Sequence, residues 1–326
     1  MKKKRKILLI TPLFNGLSTG IAHALEDLGF DVQHIIFDKL FSRIFIAVAS
    51  RISLDNYLKY TNAHLISLIK KLSVSFKPDF TIIVRGDLIP LEIFEILQST
   101  TIIQWENDNL EILNTFNLKK ASSYVDLFCS YFKPDKKEAI DLGYKNFLYL
   151  PTGYPSKIFH PINLTKTQQK KYKSDFVFIG VSYNYRTKCF NNLHNLDYQI
   201  YGSGYPPHIK TKKKRVSIDT GNILYNATNI GVSIHKKIMG INDRVFSICG
   251  SGCFCLVDDI NNLNEFYDIG KEIITFSSPE DFHDKVLKYN QDCHLRKKIA
   301  QKGYQRTINN HTYTHRMKML FDYINK

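Results

Sequence analysis

The chain has 326 residues, with 45 Lys and Arg against 30 Asp and Glu, and a formal net charge of +15 with His neutral. Hydrophobic residues make up 44% of the sequence and charged residues 23%, a balance that excludes a largely disordered chain. The contents of 16 Gly, 10 Pro and 6 Cys exclude collagen-like and disulfide-scaffold proteins. At roughly 100–200 residues per domain, the length predicts two domains, each with its own core.

Most of the excess positive charge lies in three short tracts, residues 2–6, 166–173 and 210–215, which contain Lys and Arg but no Asp or Glu. The rest of the chain is therefore nearly neutral. The tracts are expected in a terminus and two loops. Two interpretations stay open: contact with anionic lipid head groups or a polyanion, or solvated loops without a partner.

The sequence predicts a cytoplasmic protein, either free or peripheral at the inner face of the membrane. The apolar run at residues 7–10 is too short for a signal peptide. The most apolar stretch, residues 44–49, is far below the ~20 residues of a membrane span. The six cysteines contain no CxxC pair, which favours structural thiols over a metal site.

The first half of the chain alternates short apolar runs with helical patterns. Residues 6–10 and 30–37 predict strands around a glycine-containing loop and a helix over 21–28, the opening βαβ unit of a doubly wound sheet. Further strands are predicted at 80–84, 101–105, 125–130 and 147–150, with helical segments within 40–77, 90–97 and 136–142. Gly16 and Gly20 do not form GxGxxG, which disfavours a dinucleotide cofactor.

Ligands of parallel sheets bind at the carboxyl ends of the strands. Residues 15–20, 85–87 and 106–108 follow predicted strands in the first half and are therefore candidates to line one rim.

After a Pro-rich linker, the second half repeats the same alternation. Strands are predicted at 175–179, 197–201, 230–234 and 254–257, and helices after Gly180 and at 242–249, 260–266, 278–290, 293–307 and 312–324. The sequence thus predicts an α/β fold of two Rossmann-like domains facing a central cleft. The expected limits are 1–155 and 175–310 for the domains, 156–174 for the linker, and 311–326 for a helix that crosses back to the N-terminal domain.

An ordered set of segments in the second half carries a family resemblance. They are Phe178-Ile-Gly180 with Arg186, Tyr201-Gly202-Ser-Gly204, Asn242-Asp-Arg244-Val-Phe246, Gly270-Lys-Glu272 and Ile299-Ala-x-x-Gly303. This half resembles the donor domain of GT-B glycosyltransferases, in the CgeB-like (spore maturation protein-like) branch of the group 1 transferases. The first half resembles the family more loosely, through Trp105-x-x-Asp108.

The resemblance implies a glycosyltransferase that uses a nucleoside-diphosphate sugar and needs neither a metal ion nor another cofactor. The implied acceptor is a hydroxyl of a glycan, a lipid-linked carrier or a protein, in bacterial surface or envelope glycoconjugate synthesis. The donor-binding residues that it implies are Gly180, Arg186, Tyr201, Gly202, His235, Asn242, Arg244 and Ser247.

Each donor-site prediction has a structural alternative. Arg186 and Arg244 are expected to hold the diphosphate. The alternative for Arg186 is an exposed cation on a helix, and the alternative for Arg244 is an ion pair with a helix carboxylate. Tyr201 and Gly202 are expected at the base, and His235 either contacts the donor or is structural. Ser247 stands where CgeB-like sequences usually place a ribose-binding Glu. The donor therefore binds differently, binds more weakly, or catalysis is lost.

The first half is expected to bind the acceptor. An inverting transferase needs a general base, for which Asp108 is the first candidate, Asp87 the second and His23 the third. Asp87 alternatively caps a helix beginning near Pro90, and His23 alternatively belongs to the core or surface of its helix. A retaining enzyme needs no such base, because the leaving phosphate can take the proton.

Three other functions stay open at this point. An inactive nucleotide- or sugar-binding module is favoured by Ser247. A nucleotide-sugar epimerase shares the predicted shape, whereas a dehydrogenase is disfavoured by the absence of GxGxxG. Nucleic-acid binding through residues 210–215 lacks an accompanying RRM, KH or helix-turn-helix signature, so only weak, salt-sensitive binding is predicted.

Overall fold

The structure is a computed structural model that describes residues 4–14, 16–40, 54–191, 193–212, 216–235 and 240–326. The apolar stretch 44–49, Asn15 of the predicted rim, and parts of the first and third basic tracts lie outside these ranges. Contacts divide the chain into two compact units. One comprises Met1–Phe14, Ile21–Pro151 and Arg316–Lys326, and the other Asn15–Gly20 and Thr152–His315. The domain limits predicted from the sequence stay a prediction.

A six-stranded parallel sheet forms the centre of the first unit, in the order β2-β1-β3-β4-β5-β6. Its strands are β1 (Lys6–Thr11), β2 (Asp31–Ile36), β3 (Phe80–Val84), β4 (Thr101–Glu106), β5 (Leu127–Ser130) and β6 (Phe147–Tyr149). The helices are α1 (Leu17–Asp27), α2 (Leu54–Ser75), α3 (Leu91–Ile96), α4 (Thr115–Ala121) and α5 (Asp135–Asp141). The apolar residues of β1 are fully buried, as expected for a parallel strand covered on both faces.

The end of the chain packs onto the first unit. The last helix, α12 (Tyr313–Ile324), buries Met317, Leu320 and Phe321, whose spacing of three and four residues forms one packing face. The Phe321 ring lies 4.4 Å from the ring of Phe30. Residues 316–326 therefore complete the core of a unit whose other elements precede residue 152.

The second unit is built on another six-stranded parallel sheet, in the order β12-β11-β10-β7-β8-β9. Its strands are β7 (Ser174–Ile179), β8 (Tyr198–Tyr201), β9 (Thr211–Lys212), β10 (Thr228–Ser233), β11 (Phe254–Asp258) and β12 (Ile274–Phe276). The helices are α6 (Lys166–Tyr172), α7 (Asn184–Cys189), α8 (Ile218–Ala227), α9 (Asp243–Gly250), α10 (Pro279–Gln291) and α11 (Cys293–Asn310). Two parallel sheets with flanking helices confirm the predicted α/β fold of two Rossmann-like domains.

Several local predictions were wrong. The basic tract 166–173, expected as a loop, forms helix α6, because Thr165 and Gln168 make a reciprocal capping box at its start. Helix α8 was missed, although Ser217 caps it. Strands β9 and β12, of two and three residues, were also missed. The predicted helix 260–266 is a 3-10 turn over Leu263–Glu265.

All six cysteines are free thiols, and five of them are buried. This agrees with the structural role predicted for them. Within the described ranges, no helix combines the length and the apolar character needed to cross a membrane.

Candidate functional site

The first cluster of functional side chains lies at the carboxyl edge of the first sheet. Strands β3 and β4 pair in register there, so Arg85 follows β3 beside the end of β4. Nε and Nη2 of Arg85 donate to the two carboxylate oxygens of Asp87 at 2.7 and 3.0 Å. Nη1 donates to Oδ2 of Asp108 at 2.7 Å. The structure therefore brings the predicted 85–87 and 106–108 segments together around one guanidinium.

The backbone of Arg85 has φ 61° and ψ 58°, in the left-handed region that residues with a Cβ rarely occupy. The side chain of the same residue is fixed by its bonds to Asp87 and Asp108. Such strained positions are concentrated at functional sites.

Glu106 lies under this cluster and is fully buried. Its Oε1 accepts hydrogen bonds of 2.8 Å from the Gly86 N–H and from Nε2 of Gln104. Its Oε2 lies 3.8 Å from Nε of Arg85 and has no hydrogen-bond partner. Burial, reinforced by the charge of Asp87, raises the pKa of Glu106 to about 8. At neutral pH Glu106 is therefore mostly protonated beneath the Arg85 guanidinium.

The two aspartates that were predicted as bases differ in exposure. The Asp108 side chain is 26% exposed, whereas that of Asp87 is 2% exposed. The alternative that Asp87 caps the next helix is wrong, because Pro90 occupies the cap position and the Asp87 carboxylate binds Arg85. Asp108 is the more accessible carboxylate, and its role as a base stays a prediction.

His23, the third candidate base, is half-buried on α1. Burial, with the charges of Lys39 and His23, lowers the pKa of His34 to about 4. His23 thus lies close to His34, whose Nε2 is 3.0 Å from Oγ1 of Thr11. The structure places His23 outside the set of side chains that contact Arg85.

In the second unit, Gly180 and Gly202, both predicted to bind the donor, allow the ends of β7 and β8 to come into close backbone contact. Gly202 has φ 156°, and a Cβ on it would overlap the carbonyl oxygen of Gly180. The Gly180 N–H donates to the Tyr201 carbonyl at 2.8 Å. The close approach that requires these glycines is therefore between two strand ends, and contact of either with a ligand stays a prediction.

Arg186 lies on α7 and is 7% exposed, so the alternative of an exposed helix cation is wrong. Its Nε and Nη2 donate to the carbonyl of Ile234, and Nη1 donates to that of Val181 at 2.8 Å. These bonds tie the loop after β7 to the end of β10. Burial, together with the charge of Arg244, lowers the pKa of Arg186 to about 10, so it remains a cation at neutral pH.

Arg244 meets Arg186 at the same aromatic ring. Their guanidinium carbons lie 5.1 and 4.9 Å from the ring centre of Phe178. Nη1 of Arg244 is buried and has no hydrogen-bond partner, so the predicted alternative of a carboxylate partner does not satisfy this nitrogen. Two neighbouring cations, one with an unsatisfied donor, create a position that favours an anion.

Arg244 lines a cavity of about 90 Å³, together with Asp243 and Ser247. Burial raises the pKa of Asp243, against the opposing effect of the Arg244 charge. The cavity is also lined by Ser217 and Ile218 at the start of α8. Oγ of Ser217 accepts from the Thr220 N–H at 3.2 Å, and the positive end of the helix dipole favours an anion here.

His235 and Asn242 are linked to the backbone of Arg244 by a chain of hydrogen bonds. Nδ1 of His235 lies 2.7 Å from Oδ1 of Asp258, and Nε2 accepts the Asn242 N–H at 3.2 Å. The ring is therefore assigned the tautomer with hydrogen on Nδ1. Oδ1 of Asn242 in turn accepts the Arg244 N–H at 3.1 Å and caps α9. With both ring nitrogens engaged, His235 has the contacts of a structural residue.

Tyr201 is held within the sheet. Its hydroxyl donates to Oε1 of Gln199 at 2.8 Å and lies 3.3 Å from Nζ of Lys212. The structure does not bring the Tyr201 side chain to the cavity that Arg244 lines. Sequence reasoning missed Ser217 and Phe178 as site residues. The cap pattern of Ser217 offered a signal, whereas the Phe178 ring resembles an ordinary core residue.

Among the residues that the structure describes, no group of three or more His, Cys, Asp or Glu side chains is arranged to hold a metal ion.

Comparisons with known proteins show what the chain is similar to. A family model described as "Glycosyl transferase-like" matches residues 186–322. Spore protein CgeB of Bacillus subtilis (strain 168) is 22% identical over 264 residues, which are 72% of this chain and 79% of that protein.

Solved structures share the fold over nearly the whole chain. A glycosyltransferase from Rickettsia africae ESF-5 has a TM-score of 0.64 at 11% identity, covering 98% of this chain and 97% of that one. Anabaena Alr3699/HepE, in complex with UDP and glucose, has a TM-score of 0.64 at 8% identity, covering 98% and 99%. With the family match over residues 186–322 and the CgeB relative, this shared fold confirms the resemblance seen in the sequence, which is to GT-B glycosyltransferases of the CgeB-like branch.

Proposed function

We propose that the second unit binds a nucleoside-diphosphate sugar and that the first unit binds a hydroxyl-bearing acceptor. The proposed acceptor is a glycan, a lipid-linked carrier or a protein in bacterial surface or envelope glycoconjugate synthesis. The sugar is transferred to it without a metal ion.

The observation that carries this proposal is the unsatisfied guanidinium of Arg244. Arg244, whose Nη1 is buried and without a hydrogen-bond partner, lines a cavity that also meets the start of α8. Phosphate oxygens accept hydrogen bonds from guanidinium groups and from helix N-termini. The cavity, at about 90 Å³, is far smaller than the ~300 Å³ or more typical of a pocket for a whole ligand. We therefore assign to it one charged group of the donor, with the remainder outside.

The nucleotide that we propose to test first is UDP. Anabaena Alr3699/HepE, which shares the fold at a TM-score of 0.62, was solved in complex with UDP-glucose. At 8% identity this likeness supports the choice of probe and leaves GDP, dTDP, ADP and CMP as alternatives.

The proposed reaction is a substitution at the anomeric carbon. A bond forms between the acceptor oxygen and this carbon, and the bond to the diphosphate oxygen breaks, with its electron pair leaving on the nucleotide. The acceptor proton goes to Asp108 in an inverting reaction, or to the leaving phosphate in a retaining one. The charge of the leaving group is stabilised by Arg244, with Arg186, which lies against the same Phe178 ring, adding positive potential.

The lysines of α6 and of residues 210–212 are proposed to hold the protein near anionic lipid or an anionic polymer. They occupy exposed surface rather than either cluster described above. Such contacts would increase the local concentration of a membrane-bound or anionic acceptor and would weaken with salt.

A thermal-shift panel with UDP, GDP, dTDP, CMP and ADP, with and without EDTA, tests the donor site. A ligand at 100 times its Kd stabilises a protein by about 2.7 kcal/mol, which raises the melting temperature by a few degrees. We expect one nucleoside diphosphate to do this equally with EDTA present. No shift from any nucleotide contradicts the donor site, and a shift abolished by EDTA contradicts metal independence.

Ser247 favours one second candidate, a binding module without transferase activity. It lines the Arg244 cavity, where a serine carries no charge and has a shorter reach than the Glu that the resemblance implies. Nucleotide binding without release of sugar from any donor would support this candidate, whereas turnover above a heat-inactivated control removes it.

A further inference from the structure

A buried carboxylate anchors the chain just after strand β10. The two side-chain oxygens of Asp258 accept the His235 N–H at 3.0 and 2.9 Å. Oδ1 of Asp258 also accepts from Nδ1 of the His235 ring at 2.7 Å. The side chains of His235 and Asp258 are only 1% and 9% exposed, so the pair lies within the protein. Asp258, the last residue of β11, therefore fixes both the backbone and the ring of His235.

The His235 ring connects this anchor to helix α9. Its Nε2 accepts the Asn242 N–H at 3.2 Å, and Oδ1 of Asn242 accepts the Arg244 N–H at 3.1 Å. Oδ1 of Asn242 also lies 3.4 Å from the hydroxyl oxygen of Ser233, in β10. Arg244 is the second residue of α9. A continuous series of hydrogen bonds thus joins the carboxylate at the end of β11 to the backbone of Arg244.

The same carboxylate also acts on the second arginine of the donor site. The Ile234 carbonyl, which accepts from Nε and Nη2 of Arg186, shares one planar peptide group with the His235 N–H. Because Asp258 binds this N–H, the carbonyl on the other side of the group is held as well. The arrangement therefore fixes the bonding partner of Arg186 and the backbone of Arg244 together.

A fixed backbone matters most for Arg244. Its Nη1 is buried and has no hydrogen-bond partner, so no bond of this nitrogen within the protein holds the guanidinium in place. A charge-assisted hydrogen bond to a phosphate oxygen depends steeply on distance and angle. A small displacement of the start of α9 would therefore misplace this donor in the cavity that Arg244 lines.

We propose that His235 and Asp258 are positioning residues of the donor site, which hold Arg244 through Asn242 where the diphosphate binds. This inference rests on the proposed function and deepens it. His235 and Asp258 are assigned no contact with the nucleotide, because both ring nitrogens of His235 and both oxygens of Asp258 are engaged within the protein. Loss of the His235 ring should therefore weaken only the binding that Arg244 provides.

A double-mutant cycle, measured by calorimetry with UDP at pH 7 in EDTA, tests this coupling. The four proteins are the parent, His235→Phe, Arg244→Gln and the double variant. Phenylalanine keeps a planar ring but has neither nitrogen. We expect His235→Phe to weaken UDP binding by about fivefold or more in the parent. In the Arg244→Gln background the same change should alter the affinity by less than about twofold, because the interaction that it disturbs is already gone.

Two further variants sharpen the cycle. His235→Gln, whose amide oxygen can accept the Asn242 N–H, should retain more affinity for UDP than His235→Phe. The matched control is His34→Phe, which removes a half-buried imidazole whose Nε2 lies 3.0 Å from Oγ1 of Thr11 in the first unit. It should bind UDP like the parent. Equal weakening by His235→Phe in both backgrounds overturns the proposal, and so does unchanged affinity in His235→Phe.

Arg244→Gln separates this inference from the proposed function. If it weakens UDP binding while His235→Phe fails the criteria above, the positioning role alone is wrong. If the parent binds neither UDP nor another nucleotide of the melting panel, or if Arg244→Gln binds like the parent, the donor site is wrong and this inference fails with it. Melting curves without nucleotide show whether each variant is folded. Should His235→Phe not fold, Asn242→Ala, which removes only the cap of α9, replaces it in the cycle under the same criteria.

Discussion

Oδ2 of Asp108 accepts a 2.7 Å hydrogen bond from Nη1 of Arg85, on the guanidinium that also binds Asp87 through two nitrogens. One cation thus binds two carboxylates, of Asp87 after β3 and of Asp108 after β4. A base at this edge would be oriented by Arg85 before an acceptor arrives. If Asp108 is the base, as proposed, Arg85 acts as a positioning residue.

Removal of Arg85 should be strongly destabilising. In Arg85→Met, the Asp87 carboxylate, only 2% exposed, loses its ion-pair partner. Breaking a buried pair in this way costs about 3–5 kcal/mol. Arg306→Met is the matched control, because the Arg306 side chain is 41% exposed and its pair with Glu272 should contribute about 0–1 kcal/mol. Urea unfolding at pH 7 measures both, and equal losses would show that the Arg85 cluster is not a buried ion-pair network.

Glu106 should make the protein less stable as the pH rises. Its pKa is about 8 in the folded chain, against an ordinary value of 4.5. Between these values the unfolded state binds fewer protons, so its ionisation favours unfolding by up to about 1.4 kcal/mol per pH unit. Above the folded pKa this loss levels off. Asp135, whose pKa is raised to about 6, adds a similar slope at lower pH, whereas His34, whose pKa is lowered to about 4, adds the opposite slope up to its ordinary value of 6.5. Comparison with a Glu106 variant cancels both contributions.

Glu106→Gln should remove most of this slope, because the amide keeps a neutral side chain of the same shape. Unfolding free energies measured between pH 6 and 8 should decline less steeply than in the parent. Glu92→Gln, at an exposed position of α3, provides the control and should leave the slope unchanged. A parental slope in Glu106→Gln would show that Glu106 is ionised throughout this range.

Alanine substitutions at Gly202 and Gly270 distinguish backbone strain at a positive φ from steric overlap of the new Cβ. A Cβ at Gly202 would overlap the Gly180 carbonyl, whereas a Cβ at Gly270, where φ is 87°, would have no atom within 4 Å. Gly270→Ala should cost about 1–2 kcal/mol from backbone strain alone. Gly202→Ala should cost more, because the ends of β7 and β8 must also separate. Thermal unfolding of the two variants measures the difference, and equal losses would mean that the strand ends can move apart freely.

The alternation of strands and helices was predictable because apolar runs and helical periodicity are local properties of the sequence. Both sheets and the helix start at Asn242 follow from such signals. Very short elements carry little periodicity: β9 and β12 were missed, although β6, also of three residues, was predicted. Helix α6 could have been found from Thr165 and Gln168, but its lysines suggested a loop.

The site was predictable in part. Because the carboxyl ends of parallel strands lie at one edge of a sheet, residues 85–87 and 106–108 were predicted to lie close together. The hydrogen bonds of Arg85 confirm this. The hydrogen-bond partners of the Arg186 side chain were not predictable, because they are backbone carbonyls, which have no sequence signature. Likewise, the bond between His235 and Asp258 joins the ends of two strands and emerges only from the fold.

The most direct test of the account is a calorimetric titration of the nucleoside diphosphate selected by the melting panel. The parent, Arg244→Gln and Arg306→Gln are compared at pH 7 in EDTA. If Nη1 of Arg244 holds a phosphate oxygen, Arg244→Gln should weaken binding by about tenfold or more, as expected for a charge-assisted hydrogen bond. Arg306→Gln, at an exposed surface pair, should bind like the parent. Unchanged affinity in Arg244→Gln would contradict the assignment of this cavity to the donor.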